Sequence, residues 1–245
     1  MEISTISVPR LALSFIPVAV VVVLMWRWGQ GYGRSLHAIA RMLLQLMLIG
    51  YVLVYIFQTD SALIISGVLS IMVCAASWIA LNTVDLPKSS LFAASLISVL
   101  IGGGSTLVLI TQGVLALDPW YLPSVMIPLA GMIFANSMNS VSLAGERLYS
   151  ELGHRIDYAR ARNTAFQAAM IPITNSLLAV GLVSLPGMMT GQILAGTSPL
   201  VAARYQIIVM CMVFSSAGIS TALFLWLIHN RCLQQESPED ADSCG

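Results

Sequence analysis

Basic residues punctuate this 245-residue chain in a pattern that few folds tolerate. Long apolar runs begin near Leu11, Ile39, Ala62, Leu91, Leu122, Phe166 and Ala203, and Lys and Arg gather in alternate gaps between them. Arg27, Arg34 and Arg41 bracket the first gap, Lys88 lies in the third, Arg147, Arg155, Arg160 and Arg162 in the fifth, and Arg231 follows the last run. Arg10 and Arg204 depart from the alternation. Basic loops resist translocation, so this asymmetry predicts a polytopic membrane protein whose Arg-bearing gaps face the cytoplasm. The gaps near Gln58, at 118–123 and at 196–199 then face outward, together with the amino terminus.

Composition agrees, because 58% apolar and only 9% charged residues leave too little polar surface to coat a water-soluble globule. A hydrocarbon slab of roughly 30 Å needs about 20 helical residues, the scale of each run. Neither strict alternation nor ten-residue spacing points to barrel strands. The expected fold is therefore all-α, with about seven transmembrane helices. One membrane domain is expected over 1–233, followed by a short acidic tail at 234–245. The first run follows Glu2 and Arg10 and lacks a small-x-small site before Arg27, so it reads as a retained span. Cys74, Cys211, Cys232 and Cys244 show no CxxC or Cys-His spacing, which argues against disulfides and zinc.

Polar residues within spans are costly in hydrocarbon and therefore informative. His37, Arg41 and Gln45 form an i, i+4, i+8 stripe that fits either a snorkelling interfacial Arg or a face turned to a cavity. Asn136, Asn139 and Ser140 share a helix face, with Gly131 and Ala135 as a small-xxx-small pair; close helix packing explains them as well as a ligand does. Gly102, Gly103 and Gly104 are followed by no Lys at P-loop spacing, which leaves a kink or a tight crossing.

The stretch 166–203 carries no Asp, Glu or Lys and no Arg, and is long for one span but short for two. At its centre, Pro186 removes a backbone donor and Gly187 tolerates unusual dihedrals, so a helix is expected to break there. Broken backbone at membrane depth needs partners from protein or water, which makes this segment a candidate path or gate, against a simple bend as the alternative. Met188 and Met189 suit gap filling better than metal ligation. The segment 144–165 differs from every other gap. Glu146, Arg147, Glu151 and Arg155 are spaced for pairing, while Leu148, Leu152 and Ile156 form an apolar stripe. It reads as an amphipathic helix that docks on a soluble partner or lies on anionic lipid.

Several phrases carry a family resemblance: Arg41-x-x-x-Gln45-Leu46, Ile49-Gly50-Tyr51-Val52-Leu53, Ile127-Pro128-Leu129-Ala130-Gly131-Met132 and, above all, the block from Gly181 through Ser184-Leu185-Pro186-Gly187-Met188-Met189-Thr190-Gly191-Gln192 to Gly196, followed by Arg204-Tyr205-Gln206. Over 35–221 the chain resembles the Fet-type iron-export permeases of bacterial ABC transporters, to which plant permeases of aluminium tolerance are related. The resemblance implies a multi-pass permease subunit of a bacterial inner membrane, a homodimer in lipid, with no nucleic-acid partner. It works with a separate ATPase that binds ATP and Mg, so no cofactor is expected in this chain. Consistent with that division, no Gly-x-x-x-x-Gly-Lys-[Ser/Thr] motif is present.

On this reading Arg41, Gln45, Asn136, Asn139, Asn175, Pro186, Gly187, Met188, Met189, Gln192 and Gln206 belong to the transport path or gate. Glu146, Arg147, Leu148, Glu151, Leu152, Arg155 and Ile156 belong to the coupling element that meets the ATPase. The chain departs from the family where Leu152-Gly153-His154-Arg155 runs quickly into Ala165 in place of a longer cytoplasmic segment. Iron or another metal ion is the expected cargo, although its ligands are unknown. A nucleotide sugar is the alternative, but only Arg41 is available to meet anionic charge. A seven-helix receptor fits the span count, but a retinal protein needs a Lys in a span. Intramembrane proteolysis has no mid-span Asp and no suitably placed His.

Overall fold

Where the solvent is hydrocarbon, each backbone amide must find its partner within its own segment, and helix is the arrangement that allows it. The computed structural model describes residues 7–84 and 88–235, without the side chains of Val8, Lys88 and 230–235. Lys88, Arg231 and all of the acidic tail thus fall outside the described side chains. Among the described residues the chain is helical throughout, and its one β-type pairing is an isolated bridge between Val180 and Ser184.

The chain divides into two compact units, Met1–Asp60 and Ser61–Gly245. In the first, α1 (Val8–Leu13) and α2 (Phe15–Arg27) are separated by Ser14, and α2 packs on α3 (Tyr32–Phe57). Gly29, at φ +66°, makes the reversal between them. Most side chains of α2 and α3 are exposed, including Leu46, Met47, Tyr51 and Tyr55, as expected of helices whose surroundings are lipid or another protein.

In the second unit, α4 (Ala62–Ala80) ends in a 3₁₀ turn at Leu81–Thr83, and α5 (Lys88–Val108) ends in a widened π turn at Leu109–Val114. Then come α6 (Pro123–Gly153), α7 (Tyr158–Ala179), the short α8 (Gly187–Leu194) and the long α9 (Pro199–Gln235). The central helix is α9, which packs against α5, α6, α7 and α8. Its inward face reads Ala202, Gln206, Val209, Met212, Val213, Ser216, Ala217, Ser220, Phe224 and Ile228, all buried.

Small residues set the helix spacing. A Cβ on Gly102 would stand 2.6 Å from the Ser220 amide nitrogen, and one on Gly103 3.0 Å from the Phe134 ring. Gly102 and Gly103 therefore make tight crossings of α5 with α9 and α6. The buried hydroxyl of Ser220 donates to Ser137 Oγ at 3.1 Å, and that of Ser95 to the Ser77 carbonyl at 3.0 Å.

By length and composition six helices are able to cross a membrane among the described residues: Pro9–Arg27, Tyr32–Phe57, Ala62–Thr83, Ser89–Val114, Pro123–Gly153 and Pro199–His229. The seventh expected run, from Phe166, is the second half of α7. At 22 residues α7 is about 33 Å long, but Arg160, Arg162 and its amides make it too polar to stand among the apolar six. The stretch 144–165 is not a helix of its own. Residues 144–153 are the last turns of α6, Arg155 turns the chain at φ +58°, and the Asp157 carboxylate caps α7 by accepting from the Ala159 amide at 3.0 Å.

Candidate functional site

The break expected around Pro186 is built as a turn followed by a short helix. Where α7 ends at Ala179, its carbonyl accepts from the amides of Val183 (2.8 Å) and Ser184 (3.2 Å), and the Gly181 amide donates to the Ser184 carbonyl at 3.0 Å. This satisfies the turn largely within itself, which is what irregular backbone at membrane depth requires. Gly181 holds φ +82° there, a conformation that glycine adopts without strain. Pro186 then stands just before the first turn of α8, with its carbonyl accepting from both the amide (3.0 Å) and the hydroxyl (3.1 Å) of Thr190. Gly196, at φ +96°, ends the segment, and Ser198 with Pro199 starts α9.

Three cavities surround this segment. One of about 300 Å³ lies between α6, α7 and α9 beside the turn, and its polar lining is Asn136, Ser176, Ser184 and Gln206. A second, of about 360 Å³, is apolar except for Gln206 and includes Met189, Met210 and Cys211. A third, of about 300 Å³, brings Met188, Gln192 and Tyr205 together with Ser124 and Pro128. Gln206 thus lies between two of them. It is 95% buried, and its Oε1 has no hydrogen-bond partner; the same holds for the buried Oε1 of Gln192. A buried amide oxygen left unsatisfied costs of order 1–3 kcal/mol, so each is primed for a donor or a cation. Asn136 is half-buried and spends one N–H on the Met132 carbonyl at 2.8 Å, leaving its oxygen for the cavity.

The structure gathers six of the expected path residues here: Asn136, Pro186, Met188, Met189, Gln192 and Gln206. Asn139 is exposed on α6 three residues after the cavity-lining Asn136, Asn175 is exposed on α7 beside the cavity-lining Ser176, and Gly187 is exposed at the start of α8. Arg41 and Gln45 are exposed on α3 in the first unit. Ser184, which opens the segment expected to break, and Ser176, which no sequence pattern singled out, line the first cavity as well. Ser176 sits four residues after Pro172 and donates to its carbonyl at 3.0 Å, a pairing that Pro at i and Ser at i+4 could have signalled. Among the described residues no three His, Cys, Asp or Glu side chains converge, so this lining is one of amide, hydroxyl and thioether groups.

Of the coupling candidates, Glu146, Arg147 and Arg155 are exposed, Leu152 and Ile156 half-buried, and Leu148 and Glu151 buried. Arg147 forms an ion pair with Glu151 one turn on. Beyond the turn, the Tyr158 hydroxyl donates to the Leu225 carbonyl of α9, and the Tyr158 ring lies 4.3 Å from that of His229. The start of α7 is therefore fixed to the far end of α9.

An all-α chain with six membrane-length apolar helices among the described residues is a multi-pass membrane protein. It belongs to the uncharacterised protein family UPF0014, whose model matches residues 8–160 and 153–233. Its relatives include a UPF0014 membrane protein of Synechocystis, 36% identical over 89% of this chain and 90% of the relative. The probable iron export permease protein FetB of Escherichia coli is 36% identical over 80% of each chain. The Protein ALUMINUM SENSITIVE 3 of Arabidopsis thaliana is 31% identical over 80% of this chain and 76% of its own. No solved structure matches the chain.

Proposed function

We propose that this protein is the membrane permease subunit of an ABC exporter in a bacterial inner membrane, moving iron or another metal ion outward with ATP hydrolysed by a separate subunit. The observation that carries this reading is the cavity beside the 180–186 turn, where Gln206, with an unpartnered buried oxygen, lines one wall together with Asn136, Ser176 and Ser184. The Escherichia coli relative, a probable iron export permease, suggests the cargo and the direction. Amide and hydroxyl oxygens suit a cation that keeps much of its water, and neutral ligands let it leave as readily as it enters.

Thr174, Asn175 and Ser176 of α7, and Asn139 of α6, are exposed, and hydrocarbon around them would penalise them. A second copy of the chain facing this surface removes that penalty and encloses the path between two protomers. The segment from Gly181 to Gly196 acts as the gate, with α8 carrying Met188, Met189 and Gln192 toward or away from Gln206. The 144–165 stretch receives the ATPase, and Tyr158 passes its motion to α9.

The test is ATP-dependent Fe(II) uptake into inverted membrane vesicles that contain this chain and its ATPase. Gln206→Leu and Asn136→Ala should lower flux at unchanged assembly. Clear ATP-driven flux of another solute with no iron movement would overturn the cargo, and flux without any ATPase would overturn the division of labour.

A further inference from the structure

At the opposite end of α7 from the gate, a groove begins in the stretch assigned to the ATPase and continues into the bundle, where that scheme gives it no role. Arg162, Asn163, Phe166 and Gln167 of α7 and Ala222, Leu225 and Trp226 of α9 line a volume of about 420 Å³. The lining is divided by chemistry along α7. Arg162 and Asn163 lie within the first two turns after the Asp157 cap, and Phe166 and Gln167 follow one turn deeper. Across from them, Trp226 is 71% exposed while its neighbour Leu225 is buried. An interfacial Trp with its ring at the boundary of headgroup and acyl chain is a common membrane anchor, and here it sits on the same groove as an Arg.

Charge is the second observation. Arg155, Arg160 and Arg162 cluster at this end, all exposed. Among the described residues at this end, Glu151 pairs with Arg147 and Asp157 caps α7, while Glu146 is exposed on α6. The one hydrogen bond of Arg162 goes to its neighbour Asn163 Oδ1 at 3.4 Å, and among the described residues no carboxylate pairs with it. A guanidinium left without a counter-charge beside an amide, on a groove whose floor is aromatic and aliphatic, has the composition of an anionic headgroup site between membrane helices.

We propose that this groove binds an anionic phospholipid, with the phosphodiester held by Arg162 and Asn163 and an acyl chain lying against Phe166, Ala222 and Trp226. Arg160, one turn from Asn163, adds to the positive field that selects an anionic over a zwitterionic headgroup. A free phosphate would use the Arg but leave the apolar half of the groove uncovered, so the occupant is a lipid. Because Tyr158 and Leu225 join α7 to α9 at this level, a lipid wedged here also bridges the two helices.

The experiment uses the full chain purified in neutral detergent. Its melting temperature is followed on addition of phosphatidylglycerol, phosphatidylcholine or inorganic phosphate. Quenching of Trp fluorescence by phosphatidylglycerol brominated on its acyl chains is measured in parallel. Phosphatidylglycerol should raise the melting temperature by about 3–6 °C at saturation, with phosphatidylcholine and phosphate giving little. Arg162→Ala should remove most of that rise, and Trp226→Phe should remove the specific part of the quenching. Arg204→Ala, at the start of α9, should leave both intact. Equal shifts with both lipids, or a full phosphatidylglycerol shift in Arg162→Ala, would overturn the proposal. A phosphate shift equal to that of the lipid would reassign the groove to a free anion. An Arg162→Ala protein that loses ATPase binding but keeps its lipid shift would assign it to a protein partner. Where Arg162→Ala fails to fold, Asn163→Ala and the Trp226→Phe quenching difference in the folded protein decide the matter.

Discussion

Gly102 of α5 and Ser220 of α9 touch backbone to backbone, since a Cβ on Gly102 would stand 2.6 Å from the Ser220 nitrogen and 2.9 Å from its Cα. Backbone cannot swing aside as a side chain can. Gly102→Ala should therefore force the two helices apart, breaking the Ser220 to Ser137 hydrogen bond as well, and destabilise the protein by about 1–3 kcal/mol. Gly104, two residues on, meets only the tip of Leu100 at 3.9 Å. Gly104→Ala should fall within about 0.5 kcal/mol of the parent, since it fills open space and improves helix propensity. Denaturation in detergent micelles distinguishes the two. Equal effects would show that the glycines serve flexibility and not contact.

Gln206 offers the opposite combination, a buried residue whose removal should matter to transport and not to folding. Its Oε1 has no partner, so Gln206→Leu takes away an unsatisfied acceptor and replaces it with an apolar group of similar volume. Stability should be unchanged or slightly raised, within about 1 kcal/mol. If ions pass this amide, ATP-driven flux should fall about tenfold or more, which corresponds to about 1.4 kcal/mol of lost stabilisation along the path. Melting temperature and vesicle flux, measured on one preparation, separate the effects. A variant that loses stability and flux in parallel would mark Gln206 as structural.

The two residues just discussed differ in how far the sequence revealed them. Runs of apolar residues identified the spans, because lipid imposes length and composition together. Polar residues inside a run pointed to Asn136, because hydrocarbon penalises them, whereas Gln192 and Gln206 entered through the family resemblance. Which of the three glycines meets a backbone was not legible, since that depends on helix rotation, and a shared face in sequence says nothing of the neighbour. The start of α7 was missed for a different reason. Arg160 and Arg162 fall within the single amphipathic helix expected over 144–165, yet the Asp157 cap and the burial of Tyr158, Ala161 and Ala165 against the bundle begin a new helix there. The same cap divides 144–165, where the Leu148, Leu152 and Ile156 spacing had suggested one continuous helix.

Gly181 and Gly196 bound the α8 segment at φ +82° and +96°, and neither would meet any atom within 4 Å if it carried a Cβ. A substitution there is penalised by backbone conformation alone. Gly181→Ala and Gly196→Ala should each destabilise by about 1 kcal/mol, while Gly181→Asn should recover part of that, because Asn enters the left-handed region more readily than Ala. Thermal melts of the four proteins provide the check. Asn behaving no better than Ala at 181 would mean that unseen crowding, and not φ, sets the requirement.

Tyr158 joins the α6–α7 turn to α9 through its bond to the Leu225 carbonyl and its stacking near His229. Tyr158→Phe keeps the ring and removes only the hydroxyl, so stability should drop by about 1 kcal/mol. Tyr158→Ala also empties a buried site that is 6% exposed and should be worse by about 2–4 kcal/mol. If motion at the turn reaches the path through this contact, Tyr158→Phe should still bind the ATPase and allow ATP hydrolysis, but should move fewer ions per ATP. Hydrolysis and flux measured together in reconstituted vesicles give that ratio. An unchanged ratio would show that α7 and α9 move as one body without the hydroxyl, and that coupling enters the bundle elsewhere along α6.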